Sequence, residues 1–354
     1  MNMSAIASRR WPPVVGICGD SGSGKTTLIE HLVPRLARRG LRVAVVKHCT
    51  HAIDADHPGK DSDRIFQAGA DILASGPREA FARYHEEQMS LEHCLERIGV
   101  GCDVVLVEGY RGVAIPRIRL GGSAPDDGEV LLALPDGMGG HDEAELAVWQ
   151  LVERAHASLP ATAVVLVGGH SARMGTSKAM LKLGDMTLLE RVVAAAAPHA
   201  EEVVLAGEAE TPASLARMKQ LPDAPGVQGP LAGLLCALRW RPDAHWIALA
   251  CDLGRITPQA VGWLREQAAI GADAVVPIAG DDGCWEPLFA LYEPSARPFL
   301  EQAASGGEWG LRRALRGARV LNPRPPAGLR AAWTNVNTPQ DLETLRQRSD
   351  EEHR

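Results

Sequence analysis

Two doubly wound α/β domains are predicted from three features of the 354-residue chain. Apolar runs of strand length alternate with amphipathic segments of helix length, a pattern typical of parallel sheets covered by helices. A glycine-rich segment follows the first apolar run of each half, at residues 19–26 and 168–178. A short turn-like segment, residues 158–161, separates the halves. We therefore predict one domain over residues 13–158 and another over residues 162–346.

The elements of the first half follow from its apolar pattern. Leu28, Leu32 and Leu36 lie on one stripe of a predicted helix, which Pro34 is expected to kink and Gly40 to end. The predicted strands are residues 14–18, 43–46, 103–107 and 130–134, and the predicted helices are residues 26–39 and 142–157.

The second half repeats this alternation with different sequences. Its predicted strands are residues 163–167, 202–206, 246–250, 273–277 and 286–292. Its predicted helices lie near residues 187–197, 231–239, 258–269, 295–303 and 309–317.

Composition narrows the class of protein. A net charge of −7 gives no basic field for nucleic acid or an anionic membrane. The sequence contains no run of about 18 apolar residues, the length needed to span a bilayer. No secretory signal is recognisable either, so a cytoplasmic protein is expected. The seven cysteines form no CxxC pair, which argues against a disulfide framework and a structural zinc site.

Residues 19–26, Gly-Asp-Ser-Gly-Ser-Gly-Lys-Thr, match the P-loop pattern between a strand and a helix. Its backbone N–H groups would surround a β-phosphate, Lys25 would neutralise phosphate charge, and Thr26 would offer its hydroxyl to Mg²⁺. The domain is therefore predicted to be P-loop NTPase-like. The predicted nucleotide-binding residues are Gly19, Gly22, Ser23, Gly24, Lys25, Thr26 and Thr27.

Two further segments of the first half point to the same edge of its sheet. Glu108 ends the apolar strand 103–107 and is predicted to hold the magnesium ion or its waters, the alternative being a turn residue. Residues 47–62 follow another strand and are dense in polar groups. We interpret them as a nucleotide-responsive loop rather than a solvated one, and their spacing fits no standard metal site.

The glycine-rich segment of the second half is not a P-loop, because it lacks Gly-Lys-Ser/Thr. Arg173 and Lys178 are spread over a longer loop, which suits a triphosphate whose pyrophosphate leaves. Gly168 and Gly169 would let a base and sugar approach the backbone. The alternative is a glycine-rich connection with two exposed cations.

Two aspartates support nucleotide chemistry in this half. Asp223 precedes a glycine-rich loop that opens a helix, and could receive guanine N–H donors or ribose hydroxyls. Asp252 ends the strand 246–250, where a carboxylate would hold Mg²⁺ that bridges phosphates. Helix capping or turn formation is the alternative for each.

Five segments of the first half together resemble a known family. They are the P-loop, Lys47-His48, residues 58–62 (Pro-Gly-Lys-Asp-Ser), 68–70 (Ala-Gly-Ala) and 105–110 (Val-Leu-Val-Glu-Gly-Tyr). They are similar to the MobB family, the GTP-binding adapters of molybdopterin guanine dinucleotide biosynthesis. Over residues 13–135 the resemblance implies GTP binding, weak hydrolysis and an accessory role. A small-molecule kinase is the alternative, because P-loops serve both classes.

The second half resembles the MobA family, the molybdenum cofactor guanylyltransferases, over residues 162–345. The matching segments are residues 166–178, 229–233 (Gly-Pro-Leu-Ala-Gly), 251–252, 287–292 and 335–339 (Asn-Val-Asn-Thr-Pro). The resemblance implies a Rossmann-like nucleotidyltransferase that moves GMP from GTP to molybdopterin. It assigns contacts with GTP to Leu166, Val167, Gly168, Gly169, Lys178, Asp223 and Asp252, the metal to Asp252, and the molybdopterin side of the cleft to Asn335 and Asn337.

The resemblance leaves alternatives open. Arg173, Lys178 and Asp252 are the predicted catalytic residues, but Gly254 stands where the family usually has proline. A cytidylyltransferase or sugar nucleotidyltransferase of the same fold, or a non-catalytic cofactor carrier, would also fit. The expected partners besides GTP and molybdopterin are molybdopterin-delivering proteins and molybdoenzyme apoproteins or their chaperones.

Overall fold

The chain folds into two compact units, described by a computed structural model. One contains residues up to 37 with 43–148, and the other contains residues 38–42 with those from 149 onward. The predicted domain limits remain predictions, because the division falls inside a helix. The structure describes residues 12–49, 51, 53, 56–86, 89–99, 101–121, 128–135, 139–168, 178–280 and 283–352.

Ten α-helices and sixteen strands are found in the described residues. The helices are α1 Lys25–Arg38, α2 Asp61–Gln67, α3 Leu91–Ile98, α4 His141–Ala157, α5 Leu188–Ala196, α6 Pro230–Trp240, α7 Pro258–Glu266, α8 Arg297–Ser305, α9 Leu311–Ala314 and α10 Pro339–Glu352. The strands are β1 Val14–Gly19, β2 Val43–Lys47, β3 Ile72–Ser75, β4 Ala80–Arg83, β5 Val104–Glu108, β6 Arg117–Leu120, β7 Val130–Leu134, β8 Ala161–Leu166, β9 Lys182–Leu183, β10 Met186–Thr187, β11 Glu202–Ala206, β12 Gln220–Leu221, β13 His245–Ala250, β14 Ala274–Val275, β15 Phe289–Tyr292 and β16 Val320–Leu321.

The first unit contains a five-stranded parallel sheet in the order β2-β5-β1-β6-β7. Every residue of β1 is buried, as its uninterrupted apolar pattern predicts for a central parallel strand. Glu108 pairs with Ile17 on one side and with Lys47 on the other. The register therefore brings the carboxyl ends of β1, β2 and β5 to one edge of the sheet.

The apolar pattern did not reveal every element of the first unit. Strand β6 was missed because it carries two arginines, and Arg117 is only 1% exposed. Its guanidinium donates to the backbone carbonyl oxygens of Tyr110 and Arg111, which makes its burial possible. The antiparallel pair β3–β4 and the short helices α2 and α3 were also not predicted. Helix α1 runs through Pro34 and ends at Arg38, shortly before Gly40.

The second unit contains a seven-stranded sheet in the order β12-β11-β8-β13-β15-β14-β16. Strand β15 is antiparallel to both β13 and β14, while the other pairings are parallel. The described part of the segment between β14 and β15 contains no helix. A parallel return needs a crossover of about a dozen residues or more, usually helical, so this strand comes back antiparallel.

Helices cover both faces of the second sheet, which confirms the predicted doubly wound class. Alternate residues of β8, such as Val164 and Val165, belong to two different apolar clusters. The first cluster includes residues of α6 and α8, and the second includes residues of α5 and α7. Since successive strand residues point to opposite faces, each cluster is the core on one side. Helix α9 is shorter than the predicted segment 309–317.

Candidate functional site

The P-loop of the first unit connects β1 to α1 in a conformation that requires glycine. Gly19, Gly22 and Gly24 have φ angles of 150°, 80° and 91°. A Cβ atom on Gly19 would lie 2.5 Å from the carbonyl oxygen of Leu120. Ser23 is buried within the loop, and Thr27 lies in the first turn of α1.

Two cationic side chains fold over this loop. Lys25 Nζ donates to the carbonyl oxygens of Gly19 at 3.1 Å and Asp20 at 2.6 Å. The Arg111 guanidinium donates to the same Gly19 oxygen at 3.1 Å. Arg111 was not predicted, although it follows Glu108 by three residues on the ligand-facing edge. The loop therefore carries two positive charges where phosphate oxygens would approach.

Thr26, Glu108 and Lys47 form a second cluster beside the P-loop. The Thr26 hydroxyl donates to Glu108 Oε2 at 3.1 Å. Lys47 Nζ lies 3.2 Å from that carboxylate oxygen and 3.2 Å from Thr26 Oγ1. A hydroxyl and a carboxylate are the oxygen ligands that Mg²⁺ uses in nucleotide sites. The fold thus brings the two predicted ligands together, and Lys47 is the residue that sequence reasoning did not assign to them.

The polar segment 47–62 is only partly described, because residues 50, 52, 54 and 55 lie outside the described residues. Its described part is tied to β4 through Arg83, whose guanidinium lies 3.3 Å from Asp56 and 3.1 Å from Asp63. The Gly59 N–H and Arg83 both lower the pKa of Asp63. These contacts order the segment around acidic groups, and its response to nucleotide stays a prediction.

The second site lies where the chain order of the second sheet reverses. Strand β8 has β11 on one side and β13 on the other, and both pairings are parallel. Ligands bind at the carboxyl ends of strands at such a switch point. Leu166 ends β8, Val167 and Gly168 follow it, and Asp252 follows β13 by two residues.

Lys178, Asp252 and Asn337 meet at this edge. Lys178 Nζ lies 2.8 Å from Asp252 Oδ2 and 3.0 Å from Asn337 Oδ1. The two charged side chains are 21% and 14% exposed, so solvent can reach them while most of their surface is covered. Arg173 and Gly169 lie outside the described residues.

Asp223 sits in a narrow recess bounded by glycines. Cβ atoms added to Gly168, Gly207 and Gly233 would lie 3.8, 3.7 and 3.6 Å from its carboxylate oxygens. Burial, and then the charge of Glu208, raises the pKa of Asp223. Gly207 was not predicted, yet its φ of 99° and the 2.8 Å between its added Cβ and the Gly168 nitrogen exclude a side chain there. The three glycines therefore leave space beside the Asp223 carboxylate that side chains would otherwise fill.

The Asn335–Asn337 segment is fixed directly against Asp252. Val336 N–H donates to the Asp252 carbonyl oxygen at 2.8 Å, and Asn335 bridges Leu253. Asp341 accepts the backbone N–H groups of Asn337 and Thr338 at 2.9 Å each. These bonds orient the Asn337 side chain toward Lys178. Asn335 Oδ1 is buried and has no hydrogen-bond partner in the described residues.

Glycine at position 254 has a steric reason. A Cβ atom there would lie 2.7 Å from Leu345 Cδ1 and 2.7 Å from Val336 Cγ2. A proline, which the family usually has at this position, would carry such an atom. It would therefore clash with the packed side chains of Val336 and Leu345, whereas glycine does not. Gly254 also borders a cavity of about 200 Å³, whose other lining residues include Arg191 and Arg255. None of the predicted site residues that the structure describes lines that cavity.

Comparison with known families matches each unit separately. Residues 14–133 match the family model of molybdopterin guanine dinucleotide synthesis protein B, MobB. Residues 163–322 match the model of the MobA-like NTP transferase domain. Among the described residues, no helix combines the length and apolar character needed to cross a membrane.

Individual relatives agree with this division. The chain is 43% identical over 111 residues to the molybdopterin-guanine dinucleotide biosynthesis adapter protein of Haemophilus influenzae, covering 30% of this chain and 62% of that protein. The corresponding Escherichia coli protein is 38% identical over 120 residues, covering 32% and 69%. The molybdenum cofactor guanylyltransferase of Rhizobium meliloti is 34% identical over 201 residues, covering 53% and 91%. The chain therefore belongs to the molybdenum cofactor guanylyltransferase family through its second half and to the MobB adapter family through its first, as a fusion of a nucleotidyltransferase with an adapter.

Proposed function

We propose that the second unit transfers GMP from GTP to the terminal phosphate of molybdopterin, yielding the guanine dinucleotide and pyrophosphate. The observation that carries this proposal is the position of the Lys178 ammonium, between Asp252 Oδ2 and Asn337 Oδ1 at the switch point of the sheet. Three segments that are far apart in sequence supply a cation and two oxygen ligands to one place. That combination suits a triphosphate and its counter-ions.

The reaction needs charge neutralisation more than proton transfer. A molybdopterin phosphate oxygen, already an anion, forms a bond to the α-phosphorus of GTP. The bond from that phosphorus to the bridging oxygen of the β-phosphate breaks, and pyrophosphate leaves with the electron pair. Lys178 would offset the charge that develops on the leaving group. Arg173, on the same glycine-rich segment, is proposed to act with it.

The residues at this edge fit a magnesium ion. Asp252 Oδ2 and Asn337 Oδ1 both face the Lys178 ammonium, so two oxygen ligands already converge on a positive centre. Mg²⁺ prefers carboxylate and amide oxygens, and we propose Asp252 as its ligand. When bound, the ion would neutralise phosphate charge and orient the α-phosphate. Lys178 would then move toward the phosphates.

Base recognition and cofactor recognition are assigned to different residues. Asp223 lies among Gly168, Gly207 and Gly233, where a flat base or a ribose could approach its carboxylate. We propose that it receives guanine N–H donors or ribose hydroxyls, while Leu166 and Val167 supply backbone contacts. Asn335 and Asn337 would shape the molybdopterin side.

Pyrophosphate release tests this proposal against its nearest alternative. The full-length chain with Mg²⁺ and molybdopterin should release pyrophosphate from GTP and much less from CTP. Faster release from CTP would indicate a cytidylyltransferase of the same fold. No release from either nucleotide, in protein that still binds GTP at the second unit, would favour a cofactor carrier.

For the first unit we propose a GTP-binding adapter. Lys25 and the loop N–H groups would hold the phosphates, while Thr26 and Glu108, which share a hydrogen bond, would hold Mg²⁺. Its partners would be molybdopterin-delivering proteins and molybdoenzyme apoproteins or their chaperones, and the use of GTP favours the cytoplasm. GTP labelled at the γ-phosphate separates this proposal from a kinase. Label transferred to a small-molecule acceptor would refute the adapter.

A further inference from the structure

A buried histidine–glutamate cluster lies at the opposite edge of the second sheet from the nucleotide site. His245 is the first residue of β13, whose far end leads to Asp252. The six residues of β13 separate the two edges by roughly 20 Å at the usual strand rise. The cluster therefore takes no part in the chemistry proposed above.

The fold places three side chains in this cluster. Strands β13 and β15 are antiparallel with Trp246 opposite Tyr292, so His245 faces Glu293 at the next position. His156, in the last turn of α4, completes the group. The rings of His156 and His245 lie edge to face, with centroids 4.7 Å apart.

The donor atoms converge on one small volume. His245 Nδ1 lies 2.7 Å from Glu293 Oε2, and His156 Nε2 lies 3.4 Å from Glu293 Oε1. One ligand atom from each of the three residues can be chosen so that all lie within 4.8 Å of one another. Donor atoms around a tetrahedral zinc ion are about 3.3 Å apart, given bond lengths of roughly 2.0–2.2 Å. Small side-chain shifts would bring all three into range.

The tautomer of His245 suits a ligand. Its Nε2 atom lies 3.2 Å from the His156 carbonyl oxygen, which can only accept, so Nε2 must carry a proton. With Nε2 protonated, Nδ1 carries a lone pair that would face the Glu293 carboxylate 2.7 Å away. The two can face each other only if a positive ion lies between them, which is either a proton on Nδ1 or a metal ion. A second ring nitrogen that donates to a backbone carbonyl is the usual support for metal-bound histidine.

Burial demands a counter-charge for Glu293. Its side chain is 4% exposed, against 11% for His245 and 21% for His156. Its Oε1 atom and His156 Nε2 make no hydrogen bond to any described residue. These two buried atoms lie 3.4 Å apart without hydrogen-bond geometry, an arrangement that a cation between them would stabilise.

We propose that His156, His245 and Glu293 bind one zinc-type divalent cation, with the partly exposed His156 side open for a water molecule as the fourth ligand. Two imidazole nitrogens and one carboxylate oxygen are ligands that zinc accepts. The ion would attach the last turn of α4 to the start of β13 and the end of β15. This site was not visible in the sequence, because its ligands are 48 or more residues apart and involve no cysteine.

Cobalt and zinc titrations of the full-length chain test the site. Metal-free protein in excess Mg²⁺, which occupies the oxygen sites, should bind one equivalent of Co²⁺ with the strong visible absorption of tetrahedral nitrogen–oxygen coordination, and Zn²⁺ should displace it. A tetrahedral spectrum with thiolate charge-transfer bands would instead place the ion on cysteine and overturn the proposal. Absence of the spectrum at micromolar metal would also overturn it.

Variants locate the ion. His156→Gln, His245→Gln and Glu293→Gln should each weaken binding by more than about 100-fold, since even an outer-shell change costs 10- to 100-fold. His93→Gln is the matched control, because His93 pairs with Glu86 on the surface of the first unit at 3.1 Å. Unchanged affinity in the three cluster variants would refute the assignment. Anomalous scattering from zinc-grown crystals of the unaltered protein is independent of how the variants fold, and the absence of a peak at the cluster would also refute the assignment.

Discussion

The two nucleotide sites solve the same electrostatic problem with different parts of the chain. In each, a lysine ammonium lies between two oxygens proposed to bind or orient metal and phosphate. Lys47 lies 3.2 Å from both Thr26 Oγ1 and Glu108 Oε2. Lys178 lies 2.8 Å from Asp252 and 3.0 Å from Asn337. The first site adds a cradle of consecutive backbone N–H groups, whereas the described part of the second site presents side chains from separate segments.

This difference predicts different sensitivities. Backbone N–H groups remain when a side chain is replaced, so the first site should keep part of its affinity after a single substitution. The second site has no comparable cradle among the residues that the structure describes, and its charges come from individual side chains. Single substitutions should therefore cost more in the second site than in the first.

The largest effect is expected from Asp252→Asn. The substitution keeps the shape of the side chain but removes the charge that would hold Mg²⁺ and that faces Lys178. Dinucleotide formation should fall by about 10²- to 10³-fold in kcat, the range typical of losing one charge-stabilising contact. Steady-state pyrophosphate release measures it. Asp185→Asn, in the exposed turn between β9 and β10, is the control, and a parental rate for Asp252→Asn would remove the assignment.

A smaller effect is expected from Lys25→Ala in the first site. Losing charge-assisted hydrogen bonds worth about 1.5–3 kcal/mol should weaken GTP binding there by about 10- to 100-fold. GTP binding would be measured at equilibrium in proteins that all carry Asp252→Asn, so that a difference in affinity reports on the first site. Arg64→Ala, which removes an exposed cation of α2, should change little. If Lys25→Ala abolished dinucleotide formation while its fold was intact, the two sites could not be treated as separate.

The third prediction concerns the pH dependence of GTP recognition. The pKa of Asp223 is raised, so its accepting, ionised form is lost at a higher pH than for an ordinary aspartate. The KM for GTP should therefore rise as the pH falls through that pKa. Asp223→Asn should raise the KM about tenfold near neutral pH, since it loses a charged acceptor worth about 1.5 kcal/mol or more, and should flatten the profile.

Glu208→Gln provides the control for that profile. Glu208 is the second cause of the raised pKa, after burial. Removing its charge should lower the pKa of Asp223 and move the rise in KM to lower pH, without the loss of affinity. If Glu208→Gln left the pH dependence of the KM for GTP unchanged, another group would control GTP binding at acidic pH.

Sequence patterns located both sites because their central residues follow apolar strands. The P-loop, Glu108 and Asp252 are all fixed at strand ends by short-range pattern, and the structure places them at the expected edges. Lys178 and Asn337 are 159 residues apart, and only the folded sheet shows that they touch. Arg111 and Gly207 were missed because neither belongs to a pattern that distinguishes it from an ordinary turn residue.

The same reasoning explains what the sequence did not reveal about the fold. Strand β6 carries Arg117, whose burial depends on carbonyl oxygens of residues 110 and 111 rather than on apolar character. The direction of β15 follows from its connection to β14, whose described part contains no helix, and an apolar run cannot reveal that. Local pattern thus predicts where a strand lies, and the connection decides how it pairs.

The smallest predicted effect separates structural support from chemistry. Thr187 caps α5, and Glu190 completes a capping box, whereas Ser90 caps α3 through one bond to the His93 N–H. Thr187→Ala and Ser90→Ala should each cost about 1 kcal/mol of helix stability. The cost of Thr187→Ala should be the larger, because that side chain is only 4% exposed and its loss also frees Glu190 from the capping box. Hydrogen exchange of the α5 and α3 amides measures each unit separately. Because α5 packs against the turn at residues 178–180 but gives no side chain to the proposed chemistry, kcat should stay unchanged. A tenfold loss of kcat in Thr187→Ala would mean that the second site depends on the precise position of α5, and the contrast between a backbone cradle and independent side chains would have to be abandoned.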